Sequence, residues 1–276
     1  MELRQVALEV ARILQDAGKH ALNDQMNPRD LKSFEMTDNH LSFTSDIDKR
    51  LAQFISNRIT YVDVFDGFWQ FRPEECHPGE RYWCVGGIDG AINFVRSMPE
   101  WTITVSLFEF NDQCSAQPIL SVVHAPALGL TYLAVRGFGA IRIRKTPLGD
   151  KREKIMPSTT PSLDYAVVSF GMSHVPEESK RALEVVSRIA GRPADIKRVG
   201  PASLDLCKVA DGTYDAYFEA HLHKWDVPAV SAGAVVVWEA QGHLSRWNGD
   251  LVHWRQENDV LATNGLIADD LRQYLA

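Results

Sequence analysis

Apolar residues at Leu3, Val6, Ala7, Val10, Ile13, Leu14 and Ala17 recur three and four positions apart and predict an amphipathic helix at the start of the chain. A polar stretch over residues 23–40 reads as a loop. Thr44-Ser45-Asp46-Ile47-Asp48 then opens a second helix whose apolar face is Leu51, Phe54, Ile55 and Ile59. Residues 63–79, rich in Pro, Gly and acidic side chains, read as loop. At residue 82 the period changes. Residues 82–85 predict a short strand, followed by a glycine-rich turn with Asp89 at its crest and a helix start at Gly90-Ala91-Ile92-Asn93. Over residues 101–110, Ile103, Val105 and Leu107 alternate with Thr102, Thr104 and Ser106, the pattern of a half-buried strand. Strands over 119–124, 130–135 and 140–144, separated by Pro126/Gly129 and Gly137/Gly139, extend it into an antiparallel meander.

Residues 145–163 hold three prolines and the charge run Asp150-Lys151-Arg152-Glu153-Lys154, which suggests a subdomain boundary. Beyond it strands and helices alternate: strand 166–170, helix 177–190, strand 196–199, helix 202–210, strand 216–218. A long helix over about 226–240, a strand at 243–247, a strand at 260–263 and a helix over 267–275 close the chain. This alternation argues for a layered α/β second half. The expected organisation is one integrated domain, with an α+β part over 1–150 and an α/β part over 151–276.

Composition narrows the class of partner. A net charge of −7 and a pI near 5.7 argue against a nucleic-acid polymer as the main partner. No apolar run approaches the roughly 20 residues that cross a bilayer. Four cysteines without paired spacing, Cys76, Cys84, Cys114 and Cys207, suit a reducing compartment, and a cytoplasmic protein is expected.

Four islands carry candidate chemistry. They are Ser45-Asp46-Ile47-Asp48; Pro73-Glu74-Glu75; Gly86-Gly87-Ile88-Asp89-Gly90-Ala91-Ile92-Asn93-Phe94; and the segment from Arg198 through Gly200, Ala202, Leu204-Asp205, Asp215-Ala216-Tyr217 and Glu219 to Trp225-Asp226. Backbone N–H groups at a helix start make a seat for phosphate, and Asp89 beside them is placed to hold a bridging cation. In this order the islands resemble the inositol monophosphatase family of magnesium-dependent, lithium-sensitive phosphatases. The family shows Thr-x-x-Asp, Gly-Glu-Glu and Asp-Pro-Ile-Asp-Gly-Thr-Thr-Asn-Phe at the first three. Ala232-Gly233 and Glu239-Ala240-Gln241-Gly242 echo it further on.

The resemblance implies a five-layer α/β/α/β/α sandwich with the site between two subdomains, and commonly a homodimer. It also implies hydrolysis of a small phosphorylated alcohol or nucleotide by two or three Mg²⁺ ions, one activating water and another stabilising the departing oxygen. By position, Glu74, Asp89, Asp226 and the carbonyl of Ile88 are the implied ligands. Asp48, with Glu74, is the implied catalytic pair, Asp48 orienting the attacking water. Gly90 and Ala91 seat the phosphate, and Ala202, Glu219 and Asp226 lie on the substrate side.

Departures fall on the chemistry. Where the family has its shared aspartate, its proline and its water-activating threonine, this chain has Gly86, Gly87 and Ala91. Loss of even an indirect metal partner typically costs about 10–100-fold, and general-base assistance is worth roughly 10²–10⁴ in rate. Three extra residues also separate Trp225-Asp226 from Ala232-Gly233. The implied enzyme therefore has reduced activity. The alternative is a pseudophosphatase that keeps a phosphate-ligand binding or regulatory role. Asp46, Asp63, Asp66 and Glu75 are candidates to replace the acid missing at Gly86.

Each residue also has an ordinary reading. Asp48 suits a capping box with Ser45, Glu74-Glu75 a solvated loop, Asp89 and Asp226 simple helix caps, and Glu219 a surface charge. His221 and His223 alternate as on a strand, as a metal site needs, but no third ligand stands at a suitable spacing. Gly171-Met172-Ser173-His174 lacks the last glycine of a nucleophile elbow, Val175 standing there. A loop lining the substrate cleft is the better account.

Overall fold

The structure is a computed structural model that describes residues 2–25, 35–37, 42–44, 46–63 and 65–275. The first helix, α1, runs over Leu3–Gln25, longer than its periodicity alone requires. Two short strands, β1 (Glu35–Thr37) and β2 (Ser42–Thr44), pair antiparallel where a loop was expected, the rest of that stretch lying outside the described residues. Helix α2 follows at Asp46–Ile59.

A seven-stranded sheet comes next, its strands neighbouring one another in chain order: β3 (Gly67–Phe68), β4 (Arg81–Asp89), β5 (Thr102–Phe110), β6 (Ala116–Ala125), β7 (Leu130–Val135), β8 (Gly139–Thr146) and β9 (Gly149–Lys154). A one-turn helix, α3 (Ala91–Val95), bridges β4 and β5. All pairings are antiparallel except β3 with β4. The expected turn at Gly86-Gly87 is instead strand: β4 continues to Asp89, with an irregular register between Val85 and Ile88. The sheet also runs to Lys154, past residue 150, because the charge run forms an exposed edge strand. Charged edges deter pairing with other chains.

The second sheet has the order β11-β10-β12-β14-β13. Its strands are β10 (Val167–Phe170), β11 (Asp195–Lys197), β12 (Ala216–Leu222), β13 (His243–Ser245) and β14 (Asn258–Thr263), with β10 parallel to β11 and β12. Helices α4 (Pro176–Ile189), α5 (Ala202–Ala210), α6 (Val227–Glu239) and α7 (Ala268–Arg272) complete the chain.

Two sheets and three helical layers stack as α/β/α/β/α. In the first interface Val10, Leu14 and Ile55 pack on Trp83, Ile103 and Val105. In the second, Cys84, Phe108 and Tyr132, from the opposite face of the same sheet, meet α5 and α6 and, beyond them, Tyr217 and Val260. In the third, Val168, Phe218 and Leu261 pack against Val185, Ile189 and Leu271. Helix α6 is buried nearly all round, as a helix sandwiched between two sheets must be. The same layering corrects the reading of β5. Thr102, Thr104 and Ser106 are as buried as the apolar residues between them, because they face the central helices rather than water. Their hydroxyls reach across: Thr102 pairs with Ser203 at 2.6 Å and Ser106 with Ser231 at 2.8 Å.

Candidate functional site

Where β4, α5, β12 and the start of α6 converge, a cavity of ≈ 410 Å³ opens. Asp48, Ile88, Asp89, Gly90, Ala91, Ala202, Glu219 and Asp226 all line it, drawn from both sheets and four segments of chain. Arg198, on the loop after β11, supplies a positive charge to the same wall.

Each acid is held by a specific contact, and none is a simple cap of its own helix. Asp48, in the first turn of α2, accepts the Ile88 N–H through Oδ1 at 2.5 Å. Asp89, at the end of β4, accepts both the N–H and the hydroxyl of Ser203 on Oδ2, at 3.1 and 2.5 Å. It thereby covers a free N–H in the first turn of α5, a helix 114 residues later. Asp226 precedes α6 without capping it; its Oδ2 turns back to accept the His223 N–H at 2.9 Å. Glu219 Oε2 accepts the Tyr217 hydroxyl at 2.7 Å.

Desolvation dominates the electrostatics. Burial lifts the Asp48 carboxyl to about 6, with the Ile88 N–H opposing and Asp89 reinforcing the rise. It lifts Glu219 to about 7, against the Tyr217 hydrogen bond and with the help of Asp89. Asp89 and Asp226 rise for the same first reason, Asp226 being pushed further by Glu219 and Asp89. Burial lifts Asp205 in α5 to about 6 as well, with the charges of Lys208 and Arg198 opposing the rise. Converging acids that resist ionisation together are relieved by a cation between them, and an all-oxygen donor set suits a hard divalent ion. On that test Asp89 and Asp226 fit Mg²⁺.

Glu74 does not join them. It is exposed, it does not line the cavity, and its backbone carbonyl accepts a hydrogen bond from Arg255. The loop carrying it is shaped by Arg72, whose guanidinium lies 3.9 Å over the Trp69 ring, and by the buried Cys76. The expectation that Glu74 supplies a ligand and half of a catalytic pair is therefore not met in this arrangement. Asp46, Asp63, Asp66 and Glu75 also stay out of the cavity.

The place of the missing acid is filled. A β-carbon at Gly86 would lie 2.2 Å from Thr104 Oγ1, closer than atoms tolerate, and 3.2 Å from Pro228 Cβ, a tight contact. Thr104 Oγ1 is itself buried with no hydrogen-bond partner among the described residues. A β-carbon at Gly87 would fall 1.7 Å from Asp48 Oδ1, so the side-chain-free residue is what lets Asp48 lie against the Ile88 amide. A hydroxyl, not a carboxylate, stands where the resemblance calls for the shared aspartate.

Thr104 and Ser203 had no role in the sequence reading, and Arg198 opened the fourth island without one. Thr104 and Ser203 are small polar residues at positions whose spacing suits an ordinary strand and helix. What signals them is burial, which only the layering reveals.

A model of the inositol monophosphatase family matches residues 2–276. A putative Nus factor SuhB of Neisseria meningitidis is 31% identical over 186 residues, which are 67% of this chain and 65% of that protein, so the match spans just under two thirds of the relative. A histidinol-phosphatase of Streptomyces coelicolor is 27% identical over 97% of this chain and 96% of its own length. Among solved structures, a Thermotoga maritima IMPase superposes with a TM-score of 0.77 at 25% identity, covering 96% of this chain and 94% of that one.

Proposed function

This chain belongs to the inositol monophosphatase family, and from that premise we propose that it is a Mg²⁺-dependent hydrolase of a small phosphomonoester with reduced turnover. The observation that carries the reading is the meeting of Asp48, Asp89, Glu219 and Asp226 in one cavity beside Arg198. Asp89, Asp226 and the Ile88 carbonyl would hold the metal, which supplies charge neutralisation for the phosphate and an acidified water. Asp48, with a carboxyl at about 6, is poised to accept a proton near neutral pH. Arg198 offsets the charge of an anionic substrate, and Glu219 and Ala202 face its alcohol part. Gly86, Ala91 and the outlying Glu74 leave fewer oxygens to position metal and water than the resemblance calls for. That shortfall is why turnover should be low.

A second reading, a phosphate-ligand binding or regulatory protein without turnover, is favoured by one observation: Thr104 and Pro228 fill the slot of the missing acid. One experiment separates the two. Phosphate release from inositol 1-phosphate and from histidinol phosphate is measured with millimolar Mg²⁺, alongside calorimetric binding of inorganic phosphate. The proposal expects turnover below the ordinary range of about 1–10³ s⁻¹, abolished in Asp89→Asn. Binding without turnover supports the second reading. Turnover within the ordinary range removes the reduced-activity clause, and turnover untouched by Asp89→Asn removes the site.

A further inference from the structure

On the wall of the same cavity stand His221, near the end of β12, and His223, just past it, their rings 4.2 Å apart. The third partner that spacing alone did not reveal comes from α4. Glu178 Oε2 lies 3.0 Å from His223 Nε2, and Glu178 Oε1 lies 3.6 Å from His221 Nδ1. One donor atom from each of the three residues falls within 4.8 Å of the others.

We propose that Glu178, His221 and His223 form a binding site for a divalent transition metal of the zinc class, separate from the all-oxygen set around Asp89. Ligands about 2.0–2.2 Å from a tetrahedral ion lie roughly 3.3–3.5 Å apart, and the two observed separations, each to a different Glu178 oxygen, are of that order. The donor types set the preference. Two imidazoles and one carboxylate suit zinc and its neighbours, whereas Mg²⁺ prefers oxygen throughout.

The surroundings are those of imidazoles held for metal. With His221 Nδ1 turned to Glu178, its Nε2 is buried without a hydrogen bond among the described residues, Glu257 Oε2 standing 3.6 Å away. The His223 ring stacks on Trp225 at 4.2 Å and 15°, which fixes its plane, and lies 4.2 Å from the His221 ring. Three protein ligands leave a tetrahedral ion one position for water or a ligand oxygen from the cavity. The His223 N–H also holds Asp226, so an ion here steadies the turn that carries an acid of the oxygen set.

The test uses the whole metal-free chain with millimolar Mg²⁺ present, titrated with Co²⁺ as a spectroscopic probe and then with Zn²⁺ in competition. One equivalent of Co²⁺ should give visible absorption bands typical of imidazole ligation, displaced by Zn²⁺. His221→Ala and the near-isosteric Glu178→Gln should each weaken binding by at least about 10–100-fold, while Asp89→Asn retains it. Circular dichroism establishes that each variant is folded, and Glu178→Gln decides the matter if His221→Ala is not. Absence of the bands means the three side chains form only hydrogen bonds and overturns the proposal. Bands that survive both substitutions, or that vanish in Asp89→Asn, place the ion elsewhere and overturn it as well.

Discussion

At Gly86 the chain has no side chain, and the space where one would start is occupied. Thr104 Oγ1 stands 2.2 Å from where a β-carbon would sit. Restoring the acid by Gly86→Asp alone therefore overpacks a buried site, and such changes typically cost about 1–3 kcal/mol. Combining it with Thr104→Ala should recover much of that loss and tighten Mg²⁺ binding, a non-additive pair of the kind expected for touching residues. Urea unfolding and Mg²⁺ calorimetry on the two single variants and the double one measure this. A Gly86→Asp protein as stable as the parent contradicts the packing account. The acids that line the cavity were legible beforehand because motif register carries Asp48, Asp89, Glu219 and Asp226 whatever their neighbours do. Thr104 and Glu178 were not, since each reaches the cavity wall or its histidines from an element far away in sequence. Glu74 keeps motif register yet lies outside the cavity, because the path of its loop is set by partners elsewhere, here Arg255.

Periodicity located most helices and strands to within a few residues because the apolar positions that define it are the buried ones. It failed where charge and burial part company. The run Asp150-Lys151-Arg152-Glu153-Lys154 looks like a linker, yet it pairs with β8 as an edge strand, and Arg142 on β8 meets Glu153 at 3.0 Å. The same Arg142 donates to Asp211, 1% exposed at the end of α5, at 2.6 Å, and Tyr132 donates to that carboxylate at 2.8 Å. This small network joins the first sheet to the central helices. Arg142→Ala leaves the Asp211 carboxylate its Tyr132 and Thr213 donors but no counter-charge, and should cost about 1.5–3 kcal/mol, the worth of a hydrogen bond to a charged group. Arg136→Ala, removing a more exposed partner of Glu109, should cost no more than roughly 1 kcal/mol. Denaturant unfolding of the two variants compares them directly, and equal losses would show that the Arg142 network does not tie the layers.

At the scale of the whole molecule, the acids gathered in the cleft between the layers make stability depend on pH. Asp48 and Glu219 bind protons in the folded state up to about 6 and 7, against ordinary values of 3.8 and 4.5. A raised folded value means that their contribution is complete below about 4 and is lost as pH rises through 6 and 7. The melting temperature of the metal-free protein should therefore fall between pH 5 and pH 8, and Mg²⁺ should raise it more at pH 8 than at pH 6. Scanning calorimetry with and without Mg²⁺ tests both. An equal Mg²⁺ effect at the two pH values rules out cation relief of these acids.

The Asp89–Ser203 contact has a consequence for how such a cleft fills. One oxygen of the acid at the end of the first sheet is already engaged by the opening turn of a helix beneath the second. An arriving ion therefore meets a carboxylate whose other oxygen is also a fastener. Its charge falls on the same group that ties α5 to the first sheet.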